Sequence, residues 1–285
     1  MSKSLILLFT VLAVSAGFNI YFGFSGNGSY LESPYQIYVM ESGILKNNLE
    51  FKEGQYTDFT YDFDNEEYPE LLSKYNIDII AGKGSEFQKA LNLMNEFAPR
   101  LYHKSNYDNS VEMNAISLLE YSLDNRKQGI NCRSKAQILN EMCLALKIYS
   151  RKVWIMPYSS YDNDCHVINE IWDSELNKWI MLDITNNEYW VDENGNPLSI
   201  LEIRKKGALR EFCTPVKPDD SIKDLKTLKQ KYTSDFLYIM KNLVYTEYCK
   251  NYTVGENNYC ILFPENMNTD FSFVISESSC IKAPY

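Results

Sequence analysis

Asp164-Cys165-His166-Val167-Ile168-Asn169-Glu170-Ile171-Trp172, the polar turn Asp173-Ser174-Glu175-Leu176, and Asn177-Lys178-Trp179-Ile180-Met181-Leu182-Asp183-Ile184 make up the stretch that decides the fold. Two runs rich in β-branched and aromatic residues on either side of a short polar turn read as an antiparallel hairpin. If the turn closes on Trp172 and Asn177, the pairs continue as Glu170 with Trp179, Ile168 with Met181, and His166 with Asp183. Directly opposed residues share a sheet face, with Cβ atoms about 5 Å apart. The pattern therefore predicts an imidazole beside a carboxylate. Val167, Ile171, Ile180 and Leu182 take the other face, as a core requires. Trp172 and Trp179 fall on the face of the His–Asp pair, where they wall a site or fill core.

Upstream, Gly129-Ile130-Asn131 breaks a helical pattern, and Asn131 is a good N-cap for a new helix. Leu139, Cys143 and Leu146 form its apolar face, with Ile138 and Met142 beside them. Cys132 falls in the first turn of this helix. Free N–H groups and the positive helix end there lower a thiol's pKa below its usual value of about 8.5 and can hold an oxyanion. A lone cysteine in such a place is more often a small buried residue. A histidine and a facing aspartate elsewhere in the chain change that balance, because a thiolate–imidazole pair needs a third group to fix the ring tautomer. Cys165 adjoins His166 but should point to the opposite face of the strand, and Cys143 belongs to the apolar helix face.

Gly129-Ile130-Asn131-Cys132-Arg133, Asp164-Cys165-His166-Val167-Ile168 and Lys178-Trp179-Ile180-Met181-Leu182-Asp183-Ile184-Thr185 resemble, in that order, the three motifs of the transglutaminase-like superfamily. Tyr189 to Lys206 and Tyr238-Ile239-Met240-Lys241-Asn242-Leu243 are similar to segments of exported bacterial members with no assigned substrate. The likeness runs over roughly residues 70 to 285. It implies a papain/transglutaminase-like α+β core, with helices packed on an antiparallel sheet. It also implies Cys132 as nucleophile, His166 as base and Asp183 as orienter. The implied activity is cysteine-dependent acyl transfer on amide bonds of a peptide or protein, peptidase or amidase ahead of protein cross-linking, with no cofactor. His103, in Leu101-Tyr102-His103-Lys104, resembles a histidine upstream of the site in related chains; lining the cleft and standing on the surface are both open to it. No Gln or Trp occupies a position that marks a second oxyanion donor. The alternative function is a non-catalytic extracytoplasmic module that binds a peptide or glycan on the same fold. The intact Cys, His and Asp argue against it.

Around this centre, Ser85 with Gln88 opens a helix carrying Phe87, Leu91, Met94 and Phe97. Ser110 caps one with Ile116, Leu119 and Leu123. Ser199 with Glu202 opens a short helix ending at Gly207, and further helical stretches run from Ser221 to Leu228 and from Phe236 to Leu243. Lys152 to Met156 reads as another strand. From Tyr35 to Asp64, pieces such as Gln36-Ile37-Tyr38-Val39 and Tyr56 to Phe63 suggest a small N-terminal strand region. Lys3 followed by the apolar run Leu5 to Phe24 has the pattern of a signal peptide, and is also long enough for a membrane anchor. The expected organisation is thus 1–24 leader or anchor, 25–68 linker and accessory strands, and 69–285 a transglutaminase-like domain with a C-terminal extension, held outside the cytoplasmic membrane.

The chain has 285 residues, 45% of them hydrophobic, enough for a sizeable core. Its formal net charge of −10 argues against nucleic-acid binding. The cysteines form no C-x-x-C pair and only two histidines occur, so no zinc site is expected. Cys213, Cys249, Cys260 and Cys280 allow three disulfide connectivities in an oxidising exterior, with reduced thiols equally open. Oligomeric state is not legible.

Overall fold

A computed structural model describes residues 33–285 except Ser160, Asp219, Ile222, Lys223, Glu256, Asn257, Thr269, Asp270 and Ser272. The expected leader or anchor, and the start of the linker, lie outside the described residues. No helix among the described residues is long and apolar enough to cross a membrane. The chain divides into two units, residues 1–40 and 41–285.

The strand expected at Gln36–Val39 is instead part of helix α1 (Pro34–Asn47). Ser33 Oγ accepts the Gln36 N–H at 3.2 Å, and Pro34 sits in the first turn, where its fixed φ suits a helix and its missing N–H costs nothing. Pro34, inside the stretch expected as linker and accessory strands, is a helix start. Of the Tyr56–Phe63 run only Thr60–Tyr61 becomes a strand, β1, paired in parallel with β8 (Asn251–Tyr252). The N-terminal strand region thus shrinks to one short strand with a partner from far along the chain.

Helices α2 (Tyr68–Tyr75), α3 (Ile77–Ala81), α4 (Glu86–Phe97), α5 (Ala115–Ser122) and α6 (Cys132–Ala145) precede the sheet. Ser85 caps α4 and Asn131 caps α6, as the spacing predicts; α5 is capped by Asn114 rather than Ser110. The strands are β2 (Ser150–Met156), β3 (His166–Asp173), β4 (Lys178–Asp183), β5 (Glu188–Val191), β6 (Thr214–Val216), β7 (Tyr245–Cys249) and β9 (Tyr259–Leu262). They form a seven-stranded antiparallel sheet of order β6-β5-β4-β3-β2-β7-β9. Helices α7 (Ile200–Leu209), α8 (Leu225–Lys231), α9 (Thr233–Asn242) and α10 (Glu277–Ile281) complete the α+β architecture. In α7, Gly207 does not stop the helix: a Cβ there would lie 2.4 Å from Met240 Sδ, so the residue is small to admit its neighbour.

Helix α6 is buried from Ser134 to Ala145, which is the mark of a central helix rather than a surface one. Its apolar side packs with α4, α5, Val167, Ile171, Ile180 and Leu182 in one core. Its polar residues are buried too, and Gln137 and Glu141 bind backbone. Glu141 Oε2 accepts the Ala115 N–H at 2.9 Å and so caps α5, while Asn169 Nδ2 of β3 donates to Ala136 O at 2.9 Å.

The β3–β4 register differs from the expected one. Asp173 pairs with Lys178 and Trp172 with Trp179, out to Asn169 with Leu182. The turn is Ser174–Asn177, not Asp173–Leu176. Asp173 Oδ1 accepts the Leu176 N–H at 2.9 Å and Oδ2 the Phe87 N–H at 3.0 Å, holding Asp173 in the strand. Asn177 takes the left-handed conformation that closes the turn, φ 52°. Each strand therefore slips by one residue. Because the combined shift is even, every side chain keeps its face, and His166 and Asp183 become diagonal rather than direct neighbours.

Candidate active site

Asn131 Oδ1 accepts the Ser134 N–H at 3.0 Å, which starts α6 with Cys132 at its first position and leaves the other first-turn N–H groups available. The Cys132 sulfur lies within interaction reach of the His166 side chain and the Val167 backbone N–H. Burial pushes this thiol up, but the His166 contact and charge and the Val167 N–H outweigh it, so its pKa lies below the ordinary thiol value. Four other thiols behave in the opposite way. Burial raises Cys143, Cys213, Cys260 and Cys280 to about 12. Cys213, Cys249, Cys260 and Cys280 are buried, and no disulfide joins them.

His166 Nε2 lies 2.7 Å from Asp183 Oδ2, with both side chains buried, which leaves Nδ1 for Cys132. The diagonal of an antiparallel pair is within reach of side chains of this length. Asp183 is itself held from the turn that follows it. Its Oδ1 accepts the N–H groups of Thr185 at 2.8 Å and Asn186 at 3.3 Å, and its Oδ2 accepts Asn186 Nδ2 at 3.0 Å. These donors and His166 overcome the burial that would raise the carboxyl, and hold its pKa below the usual value. Burial acts against the imidazolium, but the Asp183 charge and hydrogen bond, with Cys132, raise His166 to about 10. Thiolate, imidazolium and carboxylate are thus mutually stabilised.

Cys132 and His166 border a cavity of about 810 Å³. His103 lines it, with its Nε2 2.9 Å from Ser105 Oγ; burial, then Lys135 and His166, lower its pKa, so the ring is neutral at pH 7. Cys165 lines the same cavity from just ahead of β3. Trp172 and Trp179 do not line it. They pack edge to face, centroids 5.6 Å apart, and Trp179 Nε1 donates to Lys282 O at 3.0 Å. They share the His166 face, but Trp172 sits six positions along the strand, about 20 Å away. Arg151, stacked on Trp179 at 3.8 Å and paired with Glu170 at 2.6 Å, occupies that end.

Other residues at the site carry weak local signals. Tyr238 of α9 sets its ring edge-on to His166, 5.4 Å between centroids, and its hydroxyl donates to Asp164 Oδ1 at 3.2 Å. Trp154 of β2 lines the cavity. Glu188 of β5 pairs with Asp183 across the sheet; burial, then Asp183 and Asp235, push its carboxyl up to about 8. Thr185 and Asn186 had a readable signal, since an Asp followed by N–H groups two and three residues on forms an Asx turn. Among the described residues no group of three or more His, Cys, Asp or Glu is placed to hold a metal ion.

A cysteine at the head of a buried helix, in contact with a histidine–aspartate pair on an antiparallel sheet, defines the transglutaminase-like class of α+β core. The comparison with known families agrees: residues 73–184 match the Transglutaminase-like superfamily core, and the chain carries a domain of that superfamily. No curated protein matches the chain. A solved structure of a provisionally named cysteine protease from Cytophaga hutchinsonii is similar at 17% identity and a TM-score of 0.33, covering 54% of this chain. The chain spans about half of that structure's length, 52%.

Proposed function

We propose that this chain is a cysteine-dependent acyltransferase acting on amide bonds of peptides or proteins, as a peptidase or amidase ahead of a cross-linking enzyme. The observation that carries the reading is the contact sequence Cys132–His166–Asp183 beside an open cavity. The Cys132 thiolate attacks the amide carbonyl carbon, the C–S bond forms, and the carbonyl electrons move onto oxygen. First-turn N–H groups of α6 meet that oxyanion. When the intermediate collapses, the C–N bond breaks and His166 hands its Nδ1 proton to the leaving amine. Water then attacks the thioester, giving its proton to His166 and restoring the thiolate. An amine in place of water gives a new amide; water is by far the more abundant acceptor.

The test is a peptide-library profile of turnover, with Cys132→Ser beside the wild type. Serine keeps the size and loses the readily ionised sulfur, so activity should fall by orders of magnitude with an unchanged melting curve. Full activity in that variant would end the proposal. The apolar run Leu5 to Phe24 further supports a location outside the cytoplasmic membrane, cleaved or anchored. A reporter active only outside the cytoplasm, fused after residue 24, tests this, and silence of the reporter would refute it.

A further inference from the structure

Lys135 stands three residues after Cys132, on the same side of α6. It is 2% exposed, yet among the described residues no hydrogen bond or ion pair engages its ammonium. Lysine is almost never buried without a partner, because removing the charge from water is costly. Helical side chains lean back toward the N-terminus, which aims this one at the first turn and the site. The charges it feels there are Asp183 from β4 and Cys132 from its own helix. It acts in turn on His103, in the segment ahead of α5.

Charge balance gives this placement its meaning. In the reactive form the buried site holds two anions, the Cys132 thiolate and the Asp183 carboxylate, but one imidazolium. A net negative charge is unfavourable where Asp183 and His166 are buried and Cys132 is only partly exposed. Burial first, and then the charges of Asp183 and Asp235, keep the Glu188 carboxyl protonated at neutral pH, so it adds no third anion. His103 is neutral and offers no compensation. Lys135 supplies the missing positive charge.

We propose that Lys135 is the second cation of this site, a positioning residue that acts through Cys132 by balancing the thiolate and the Asp183 carboxylate. The proposal rests on Cys132 being the nucleophile. Burial outweighs the opposing pull of Asp183 and Cys132 and lowers the ammonium to about 8, so the charge is present at neutral pH.

The experiment is the pH dependence of Cys132 alkylation by iodoacetamide, followed by mass spectrometry on the full chain. In the wild type the rate should rise through a midpoint below that of a free thiol. In Lys135→Met the midpoint should move up by about one pH unit, a roughly tenfold slower alkylation on the acid limb, as expected for loss of one nearby charge. Lys135→Arg keeps the charge and should keep the low midpoint. A packing role predicts the reverse order, with Met tolerated and the larger Arg disruptive. If Lys135→Met does not fold, Lys135→Gln, uncharged and polar, carries the same expectation. An unmoved midpoint in the neutral variant overturns the role of Lys135. A wild-type Cys132 that reacts like a free thiol instead overturns the nucleophile itself, so the two failures are distinguishable.

Discussion

Replacing Asp183 by Asn removes one charge and keeps the shape. In the wild type, burial disfavours the His166 imidazolium and Asp183 overrides it, to about 10. Without the carboxylate, burial prevails, and the ring should return to its ordinary value of about 6.5 or lower. At pH 7.5 an imidazole with that pKa is protonated in about one molecule in ten, so the imidazolium needed by the thiolate and the leaving amine becomes about tenfold scarcer. The Asn amide adds a second fault. Three donors from Thr185 and Asn186 already converge on this side chain, so an NH2 group must face either one of them or the ring, and the ring tautomer is no longer fixed. The analogous change in a serine triad costs about 10⁴ in kcat; a pre-formed thiolate pair depends less on its third member, and we expect about 10²–10³. Imidazole ¹⁵N NMR against pH, with turnover on a substrate found by profiling, measures both effects. A His166 ring that still titrates near 10 in Asp183→Asn would refute the electrostatic argument. So would losses that multiply in His166→Ala/Asp183→Asn, since an aspartate acting only through the histidine adds little once the ring is gone.

The same pair makes stability depend on pH. His166 is protonated up to about 10 in the folded chain but only to about 6.5 when unfolded, so its contribution is complete below pH 6.5 and is lost as pH rises toward 10. The melting temperature of Asp183→Asn should therefore vary less across that window than the wild type's; parallel curves would contradict the assignment. Gly129→Ala would place a Cβ 2.9 Å from Tyr102 O, against the pairing of Ile130 N with Tyr102 O at 2.9 Å. We expect about 1–3 kcal/mol of destabilisation in urea, with slower Cys132 alkylation, because this pairing sets His103 beside the Asn131 cap. Glu170→Gln leaves the Arg151 guanidinium buried without its carboxylate and should cost about 3–5 kcal/mol, while Cys132 alkylation in the folded variant is unchanged, the pair lying far down the sheet.

Local signals were sufficient wherever the cause is itself local. The break at Gly129 and the cap at Asn131 place Cys132 at a helix start without help from the rest of the chain. The two-residue alternation of β3 and β4 assigns His166 and Asp183 to one face, and this survives the register slip because an even shift preserves faces. The register itself was not legible. It depends on where the Asp173 carboxylate finds donors, and one of them, the Phe87 N–H, belongs to α4. The start of α1 is not legible locally, because Pro34 serves a turn and a first helical position equally well until the rest of the helix is counted.

The sequence by itself therefore determined the α+β class, a resemblance to transglutaminase-like motifs, and the three residues that meet at the candidate site. Those assignments rest on caps and strand alternation, each read within a few neighbouring residues, and on the order of three motifs between Gly129 and Thr185. Only the tertiary structure decided that α6 is buried on every side, that Tyr238 and Trp154 border the reacting groups while Trp172 and Trp179 do not, and that Lys135 and Glu188 sit in the field of Asp183. The physical reason is that a side chain's charge state and access to solvent are set by neighbours from α6, α9, β2 and β5. Those neighbours are brought together by burial of a shared core, and their spacing along the chain carries no trace of it.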